Sequence, residues 1–371
     1  MKSRKNYIEI ECCDELQRLL AQEKMLRHYA FQAVDFTRVA EAAQRDYTDC
    51  IFMGCNISEG MRERIDANCF IFPAMPKPYN IFPAQMYSAE TLYAGYNPQQ
   101  ADSFLACYDS RVYAHYIALG KQSSDIGETL ARSLHDHSVS DALHDMLAKY
   151  DERAVVAVMG GHSLSRTDEA YFTVAKTSKL LTERGKLMVS GGGPGAMEAT
   201  HLGAWLAGRS DEELCEAVKM LACAPKFEDE GWLASAFEVM ARYPRDEKYC
   251  SIGIPTWFYG HEPATPFASH IAKYFDNSIR EDGLLAIAKG GVIYSPGSAG
   301  TMQEVFQDAA QNHYKTFGFA SPMIFLGREH WTKTMPVYPL LEQLQLAGRY
   351  KNLLLSLADT AEEAAEQILN F

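Results

Sequence analysis

The sequence predicts an α/β protein whose second half folds into a doubly wound parallel sheet. Residues 151–371 alternate between short apolar runs and longer segments with apolar residues at helical spacing, which is the pattern of successive strand–helix units. The run 154–159 is apolar throughout, as expected of a parallel strand buried on both faces. Two later runs lead directly into glycine-rich turns, at 191–195 and 296–300. Such turns lie at the carboxyl edge of a parallel sheet, where open α/β folds bind ligands.

The composition is that of an ordinary globular protein. The chain has 371 residues, of which 47% are hydrophobic and 22% charged, and this length suffices for two domains or for one domain with a large extension. A net charge of −13 argues against nucleic acid as a partner. The nine cysteines form no C-x-x-C pair and indicate reduced thiols, and no apolar run is long enough to span a membrane. We therefore expect a cytoplasmic protein with neither a nucleic-acid nor a membrane partner.

A polar stretch at 150–153 precedes a sharp rise in hydrophobicity and predicts a domain boundary. Residues 1–150 then form an N-terminal unit of unknown role, and residues 151–371 form the domain that carries the glycine turns. We expect the N-terminal unit to be mixed and largely helical, without an internal repeat. Its predicted helices are 12–27, 36–45, 59–67, 114–119, 126–134 and 139–149, and its predicted strands are 50–53 and 69–72.

His135-Asp136-His137 has the residue types of a metal site. The three residues lie between two predicted helices, and no third ligand is evident in the sequence. We therefore expect a solvated loop and predict no metal.

The second half contains six predicted strands separated by helices. Thr167 is the expected N-cap of the first of these helices, and Gly185 is its expected end. The predicted strands are 154–159, 187–189, 251–255, 292–294, 322–326 and 353–355, and the later helices are 196–206, 211–242, 267–287, a helix from about residue 300, 340–346 and 360–369.

The segment 290–304 combines a buried strand, a glycine turn and a helix that begins near Gly300. Converging backbone N–H groups and the helix dipole favour an anion at such a turn, and Thr301 can donate its hydroxyl to the same anion. Glu304 lies one helical turn further on, beside the sugar of a bound sugar phosphate. A carboxylate there would stabilise a cationic sugar carbon. The alternative is a plain strand–turn–helix connection in which Glu304 complements the helix dipole.

The segment 296–304, Pro-Gly-Ser-Ala-Gly-Thr-Met-Gln-Glu, resembles the Pro-Gly-Gly-x-Gly-Thr-x-x-Glu signature of the LOG family, whose members are often labelled lysine decarboxylases. The segment 191–198, Gly-Gly-Gly-Pro-Gly-Ala-Met-Glu, is similar to the upstream Gly-Gly-Gly-x-x-Gly-x-Met loop of that family, with its last glycine one place early. With Gly-Gly-His-Ser at 160–163, the chain most resembles the bacterial nucleotide 5′-monophosphate nucleosidases. The resemblance covers roughly residues 150–371.

This resemblance implies a Rossmann-like phosphoribohydrolase that cleaves the N-glycosidic bond of nucleoside 5′-monophosphates. It implies no cofactor and no metal, and it implies a homodimer or larger homo-oligomer. Glu304 and Arg280 are the implied catalytic residues. The implied phosphate and nucleotide contacts come from Gly161, Ser163, Gly192, Gly193, Gly195, Met197, Gly297, Ser298, Gly300 and Thr301.

Two of these assignments depart from the family pattern. Arg280-Glu281 is similar to an Arg-Lys pair of the family, with an acidic residue at the lysine position. Arg280 could bind phosphate or polarise the departing base, or it could be a surface arginine paired with Asp276 or Glu281. Ser298 replaces a glycine, which would cost about 1 kcal/mol if the position needs positive φ and would otherwise add a hydroxyl to the phosphate site.

Other functions fit the residues less well. A pyridoxal-phosphate decarboxylase needs a Schiff-base lysine, and Lys289 lies at the wrong end of its strand. A dinucleotide-binding oxidoreductase needs Gly-x-Gly-x-x-Gly after the first strand, where 160–162 reads Gly-Gly-His. A non-hydrolytic protein that binds a nucleotide or the molybdenum cofactor remains the alternative, although a carrier has no need of Glu304. The base and any effector are not predicted.

Overall fold

The computed structural model describes residues 7–260 and 263–371. The chain divides into two compact units. Unit 1 contains the chain up to Met86 together with Leu119–Leu143, and unit 2 contains Tyr87–Ala118 together with His144–Phe371. Residues 87–118 therefore belong with the glycine turns, whereas the boundary predicted near residue 150 placed them in the N-terminal unit. The functional division of the chain at residue 150 stays a prediction.

Unit 1 is built from short parallel strands. Its elements are β1 (Ile8–Ile10), α1 (Cys13–Gln22), β2 (Met25–Arg27), β3 (Tyr29–Gln32), β4 (Asp46–Thr48), β5 (Ile51–Met53), α2 (Glu59–Arg62) and β6 (Phe70–Phe72), with 3-10 turns at Phe36–Arg38 and Ala40–Gln44. One parallel sheet has the strand order β1-β3-β5-β6, and a second pairs β2 with β4. The two 3-10 turns replace the helix predicted at 36–45, and α1 and α2 are shorter than the helices predicted at 12–27 and 59–67.

The parallel strands reveal a repeat that the sequence analysis missed. Ala30 pairs with Ile51 and Phe31 with Phe52, in each case 21 residues further along the chain. Left-handed backbone recurs at the same spacing, at His28 and Asp49. The rings of Phe31 and Phe52 stack inside the unit with their centroids 5.1 Å apart. Successive turns of the chain thus stack as in a small β-solenoid. A buried position recurs from turn to turn, whereas most of the paired residue types differ.

The predicted loop at 135–137 is wrong. These residues lie inside one continuous helix, α5 (Ile126–Leu147). His135 and Asp136 are buried, and His135 Nδ1 lies 2.8 Å from Asp136 Oδ1. The segment between the two predicted helices holds no proline or glycine, so nothing in it interrupts the helix.

Unit 2 contains the doubly wound sheet. After α3 (Ala89–Leu92) and α4 (Tyr108–Ala118), its elements are β7 (Val155–Met159), α6 (Glu169–Glu183), β8 (Leu187–Ser190), α7 (Ala196–Trp205), α8 (Asp211–Leu221), α9 (Trp232–Arg242), β9 (Ser251–Gly253), β10 (His270–Ile271), α10 (Asn277–Ile287), β11 (Val292–Tyr294), α11 (Ala299–Tyr314), β12 (Pro322–Leu326), α12 (Val337–Leu346), β13 (Leu354–Ala358) and α13 (Ala361–Leu369). Further short turns lie at Ala101–Ala106, Glu152–Ala154 and His330–Thr334.

All seven strands of this sheet are parallel, in the order β10-β9-β8-β7-β11-β12-β13. The Rossmann-like doubly wound fold predicted from the sequence is therefore confirmed. The winding direction reverses between β7 and β11, and the carboxyl ends of these two strands define the crevice where such folds bind ligands. Both strands are completely buried, as their apolar sequences predict.

The helix predicted at 267–287 is only half correct. Residues His270–Ile271 form the short strand β10, and the helix α10 begins at Asn277, where the side chain of Asp276 accepts a hydrogen bond from Ser278 N. Ile271 and Phe275 therefore lie outside the helix. Among the described residues, no helix is both long and apolar enough to cross a membrane.

Candidate functional site

The loops that follow β8, β7 and β11 meet at the carboxyl edge of the sheet of unit 2. Gly161, in the loop after β7, lies between the two glycine turns. Its N–H donates to the carbonyl of Pro296 at 3.1 Å, and its own carbonyl accepts from Ala196 N at 3.2 Å. The backbone of one residue thus joins both turns, because β7 lies between β8 and β11 in the sheet.

Two glycines are required by this close approach. Gly195 has φ of +72°, and a Cβ there would collide with the carbonyl oxygens of Gly161 and His162. A Cβ on Gly297 would collide with the side chain of Thr301 and lie 3.0 Å from Gly161 N. Gly195 and Gly297 are therefore required because each turn packs closely on the loop that follows β7.

The second turn ends at the exposed N-terminus of α11. Residues 298–300 are exposed, while Thr301 is buried against Gly297. Ser298 has φ of −123°, so the serine in place of the family's glycine causes no left-handed strain. No side chain caps the helix at Ser298, which leaves the N–H groups of the first turn facing outward. This is the geometry of an anion site at a helix N-terminus.

Glu304 lies one turn into α11 and is partly buried. Below it, the hydroxyl of Tyr294 donates to Asp308 Oδ2 at 2.7 Å. Burial raises the pKa of Tyr294, and the negative charges of Asp308 and then Glu304 raise it further. Burial also raises the pKa of Asp308 to about 7, although the bond from Tyr294 opposes this. Of the three groups Glu304, Asp308 and Tyr294, the carboxylate of Glu304 is therefore the one nearest the solvent.

Arg280 is buried, so the alternative of a surface arginine paired with Asp276 or Glu281 is wrong. Its side chain is buried, and its Nε donates to the carbonyl of Ile254 at 2.9 Å. Nη2 lies 4.0 Å from the sulfur of Met197, and the guanidinium packs against Gly191. Glu281 instead accepts from the side chain of Asn277 at 3.0 Å. Arg280 thus projects from α10 under the first glycine turn.

The remaining predicted residues lie on the β7–β8 side of the same edge. Gly192 and Gly193 are buried in the first turn, whereas Ser163 is exposed. Ser163 and Gly195 line a cleft of about 130 Å³, together with His162, Pro194, Lys226, Phe227 and Trp232. Among the described residues at this edge, no three His, Cys, Asp or Glu side chains lie close enough together to share a metal ion.

Sequence reasoning missed a buried ion pair beneath this cleft. Arg166 and Glu198 form two parallel bonds, of 2.6 Å and 2.9 Å. Tyr171 donates to the same carboxylate at 2.9 Å, and Arg166 also donates to the carbonyls of Ala224 and Trp232 at 3.1 Å. Glu198 belongs to the first glycine motif, which was the available signal, whereas nothing in the sequence marked Arg166. The pair fixes the start of α7 against the segment between α8 and α9.

No family model and no curated protein matches this chain. Solved structures with a similar fold include the molybdenum cofactor binding protein from Rippkaea orientalis, at 17% identity over 58% of this chain and 95% of that one, with a TM-score of 0.37. The structural-genomics target TM1055 is 21% identical, with 58% of this chain and 99% of that chain covered and a TM-score of 0.38. The molybdenum cofactor carrier protein of Chlamydomonas reinhardtii is 15% identical, with 58% of this chain and 98% of that chain covered and a TM-score of 0.36. Similarity at this level carries no information about activity.

Proposed function

We propose that this protein is a phosphoribohydrolase that cleaves nucleoside 5′-monophosphates into free base and ribose 5-phosphate. The observation that carries the proposal is the position of Glu304, one helical turn from an uncapped helix N-terminus at the switch point of a doubly wound sheet. Such a terminus favours a phosphate, and a carboxylate at that spacing lies beside the sugar.

The phosphate group would be bound by backbone N–H groups of residues 297–301 and by the hydroxyl of Thr301. This contact fixes one end of the substrate, and the glycine turn at 191–195 bounds the other side of the crevice. Because Gly161 is hydrogen-bonded to both turns, the three loops form one prearranged surface. Prearranged donors stabilise an anion at little cost in reorganisation.

Glu304 would act at the sugar carbon C1′. As the bond from C1′ to the base nitrogen breaks, positive charge develops on the sugar, and the carboxylate stabilises it and orients a water molecule. The water oxygen forms the new bond to C1′, and the departing base takes up a proton. The buried Arg280, at the first glycine turn, would stabilise the phosphate or the negative charge that develops on the leaving base.

The alternative is a carrier that binds a nucleotide or the molybdenum cofactor without hydrolysing it. A carrier predicts a bound molecule that is recovered intact, whereas a hydrolase predicts equal amounts of base and ribose 5-phosphate. The test is to incubate the purified protein with each common nucleoside 5′-monophosphate and to quantify both products by chromatography. Binding that saturates while all the nucleotide is recovered unchanged would contradict the proposed hydrolysis and favour the carrier.

A further inference from the structure

The cleft of about 130 Å³ at the carboxyl edge of the sheet has no assigned ligand in the function proposed above. It is lined by residues of the loop after β7, by the end of the first glycine turn and by the segment 225–232, which connects α8 to α9. The sequence analysis gave this segment no role in ligand binding. We name the space the Phe227 cleft, after the half-buried aromatic residue that the segment contributes to its lining.

The Phe227 cleft adjoins the second glycine turn through Gly161. A Cβ placed on Gly161 would lie 3.8 Å from Ser163 Oγ, which belongs to the cleft lining, and 3.4 Å from the Cα of Gly297. The strands that precede these two loops, β7 and β11, are neighbours in the sheet, about 4.8 Å apart. In a nucleoside 5′-monophosphate only the ribose separates the phosphate from the base. A phosphate bound at residues 297–301 therefore brings the cleft within reach of the base.

The opposite direction along the sheet edge is closed. The loop after β12 packs against the second glycine turn, because the buried indole of Trp331 donates to the carbonyls of Tyr294 and Leu326, at 3.1 and 3.0 Å. A Cβ on Gly327 would lie 3.6 Å from the ring of Pro296. A ligand that is bound at the N-terminus of α11 and stays in contact with the sheet edge must therefore extend across β7, toward the Phe227 cleft.

The charges that line the Phe227 cleft cancel. The buried Arg166 and Glu198 neutralise each other in the ion pair described above. Lys226 and Glu228 are exposed, carry opposite charges and lie on either side of Phe227 in the sequence. An anion gains little from such surroundings, whereas an uncharged flat ring can pack on the aromatic side chain. The cleft thus suits a nucleobase better than a second phosphate.

Arg166 holds the segment 225–232 in place at both ends. Its backbone N–H donates to the carbonyl of Pro225 at 3.0 Å, and its guanidinium donates to the carbonyls of Ala224 and Trp232, each at 3.1 Å. The guanidinium carbon also lies 4.8 Å from the centre of the Trp232 ring. The lining of the cleft is therefore ordered before a ligand binds, which lowers the entropic cost of binding.

We propose that the Phe227 cleft binds the base of the nucleotide, with the ring of Phe227 stacked on the face of the base. This inference rests on the proposed function and adds the residues that contact the base. Every base has a π-face, so we expect the stacking to serve purine and pyrimidine nucleotides. After hydrolysis, the free base can leave past the exposed side chains of Lys226 and Glu228.

The test compares adenosine 5′-monophosphate with ribose 5-phosphate, which keeps the sugar and the phosphate but lacks the base. Equilibrium binding of both is measured on Glu304→Gln protein, so that the nucleotide is not consumed. Adding Phe227→Ala should weaken binding of the nucleotide about tenfold or more and leave binding of ribose 5-phosphate unchanged. Phe227→Tyr keeps an aromatic ring and should retain the affinity for the nucleotide. Phe227→Leu keeps an apolar side chain for the fold, removes the aromatic face and should show the same selective loss as Phe227→Ala.

Phe317→Ala is the matched control. Phe317 is also half-buried, but its ring lies 5.5 Å from Nζ of Lys289, which precedes β11 at the amino edge of the sheet. The control should alter neither affinity. In protein that retains Glu304, Phe227→Ala should raise KM for the nucleotide and leave kcat nearly unchanged, as expected for a contact made equally in the ground state and the transition state.

The outcomes separate this inference from the proposed function. Equal loss of affinity for both ligands in folded Phe227 variants, or loss for neither, would refute the role of the cleft and leave hydrolysis standing. A selective loss for the nucleotide, in a protein whose wild type releases no base, would refute hydrolysis and support the role of the cleft. Failure of the Glu304→Gln protein and of the wild type to bind the nucleotide would overturn both.

Discussion

At the scale of single residues, Glu304 is the group on which the proposed chemistry depends. Glu304→Gln keeps the size of the side chain and removes its charge, so the fold should be retained. Hydrolysis should fall by about two orders of magnitude or more, because a neutral amide cannot stabilise the cationic sugar. Base release at saturating substrate measures this, with the exposed Glu329→Gln as a control for a lost surface carboxylate. A Glu304→Gln protein with near-normal turnover would contradict the mechanism.

Asp308 makes a second prediction at this scale, on stability. Burial raises its pKa from 3.8 to about 7 in the folded protein, so between these values the folded state binds more protons than the unfolded state. The resulting stabilisation is fully present below about pH 4 and is lost as the pH rises through about 7. The free energy of unfolding should fall by roughly 4 kcal/mol over this range. Denaturant unfolding at pH 4 to 8 should show this slope in the wild type and lose it in Asp308→Asn. The same slope in both would contradict the assignment, and the exposed Asp102→Asn serves as the control.

The residue types and their spacing predicted which loops lie together, but not the burial or the hydrogen-bond partners of individual side chains. The glycine pattern indicated an anion site, and the structure brings Gly161, Gly195, Gly297 and Thr301 together. The burial of Arg280 could not be predicted, because its acceptor is a backbone carbonyl at Ile254, which carries no sequence signature. The carboxylate of Asp109 was missed for a related reason, since its partners Trp257 and Lys273 lie about 150 residues away in sequence.

At the scale of elements, the buried pair of Arg166 and Glu198 connects α7 to the segment between α8 and α9. Arg166→Met would leave the Glu198 carboxylate buried without its cation, so the free energy of unfolding should fall by about 3–5 kcal/mol. Arg328→Met provides the control. Arg328 pairs with Asp359 at the surface, and its loss should change stability by about 1 kcal/mol or less. Chemical denaturation of both variants measures the difference, and equal, small losses would show that the buried pair contributes little.

Elements with a strong periodic pattern were predicted well, and short elements were not. The strands β7, β8, β11 and β12 are continuous apolar runs and were found within one or two residues. The strand β10 has only two residues, which are too few to show a hydrophobic period, so the sequence analysis assigned them to the helix predicted at 267–287. The solenoid turns of unit 1 were missed because each strand of three or four residues is recognisable only from its pairing with the next turn.

At the scale of the whole molecule, the family resemblance predicts a homodimer or larger homo-oligomer. On the helices α10 and α11, Leu284, Leu285, Val305 and Ala309 are buried, whereas Ile279 and Tyr314 are exposed. Sedimentation at micromolar concentration should give a multiple of 41.5 kDa. A single species of 41.5 kDa would refute the oligomer and indicate that exposed side chains of this kind are tolerated by a monomer.

In the proposed hydrolysis, the phosphate site, the carboxylate of Glu304 and the crevice must all act on one substrate molecule. The most direct measurement compares hydrolysis of nucleoside 5′-monophosphates with hydrolysis of the corresponding nucleosides under identical conditions. Since the two glycine turns and the N-terminus of α11 are proposed to bind the phosphate, we predict release of base and ribose 5-phosphate from the nucleotides and no detectable cleavage of the nucleosides. Comparable cleavage of nucleotides and nucleosides, or cleavage of neither, would contradict the proposed phosphate-dependent hydrolysis.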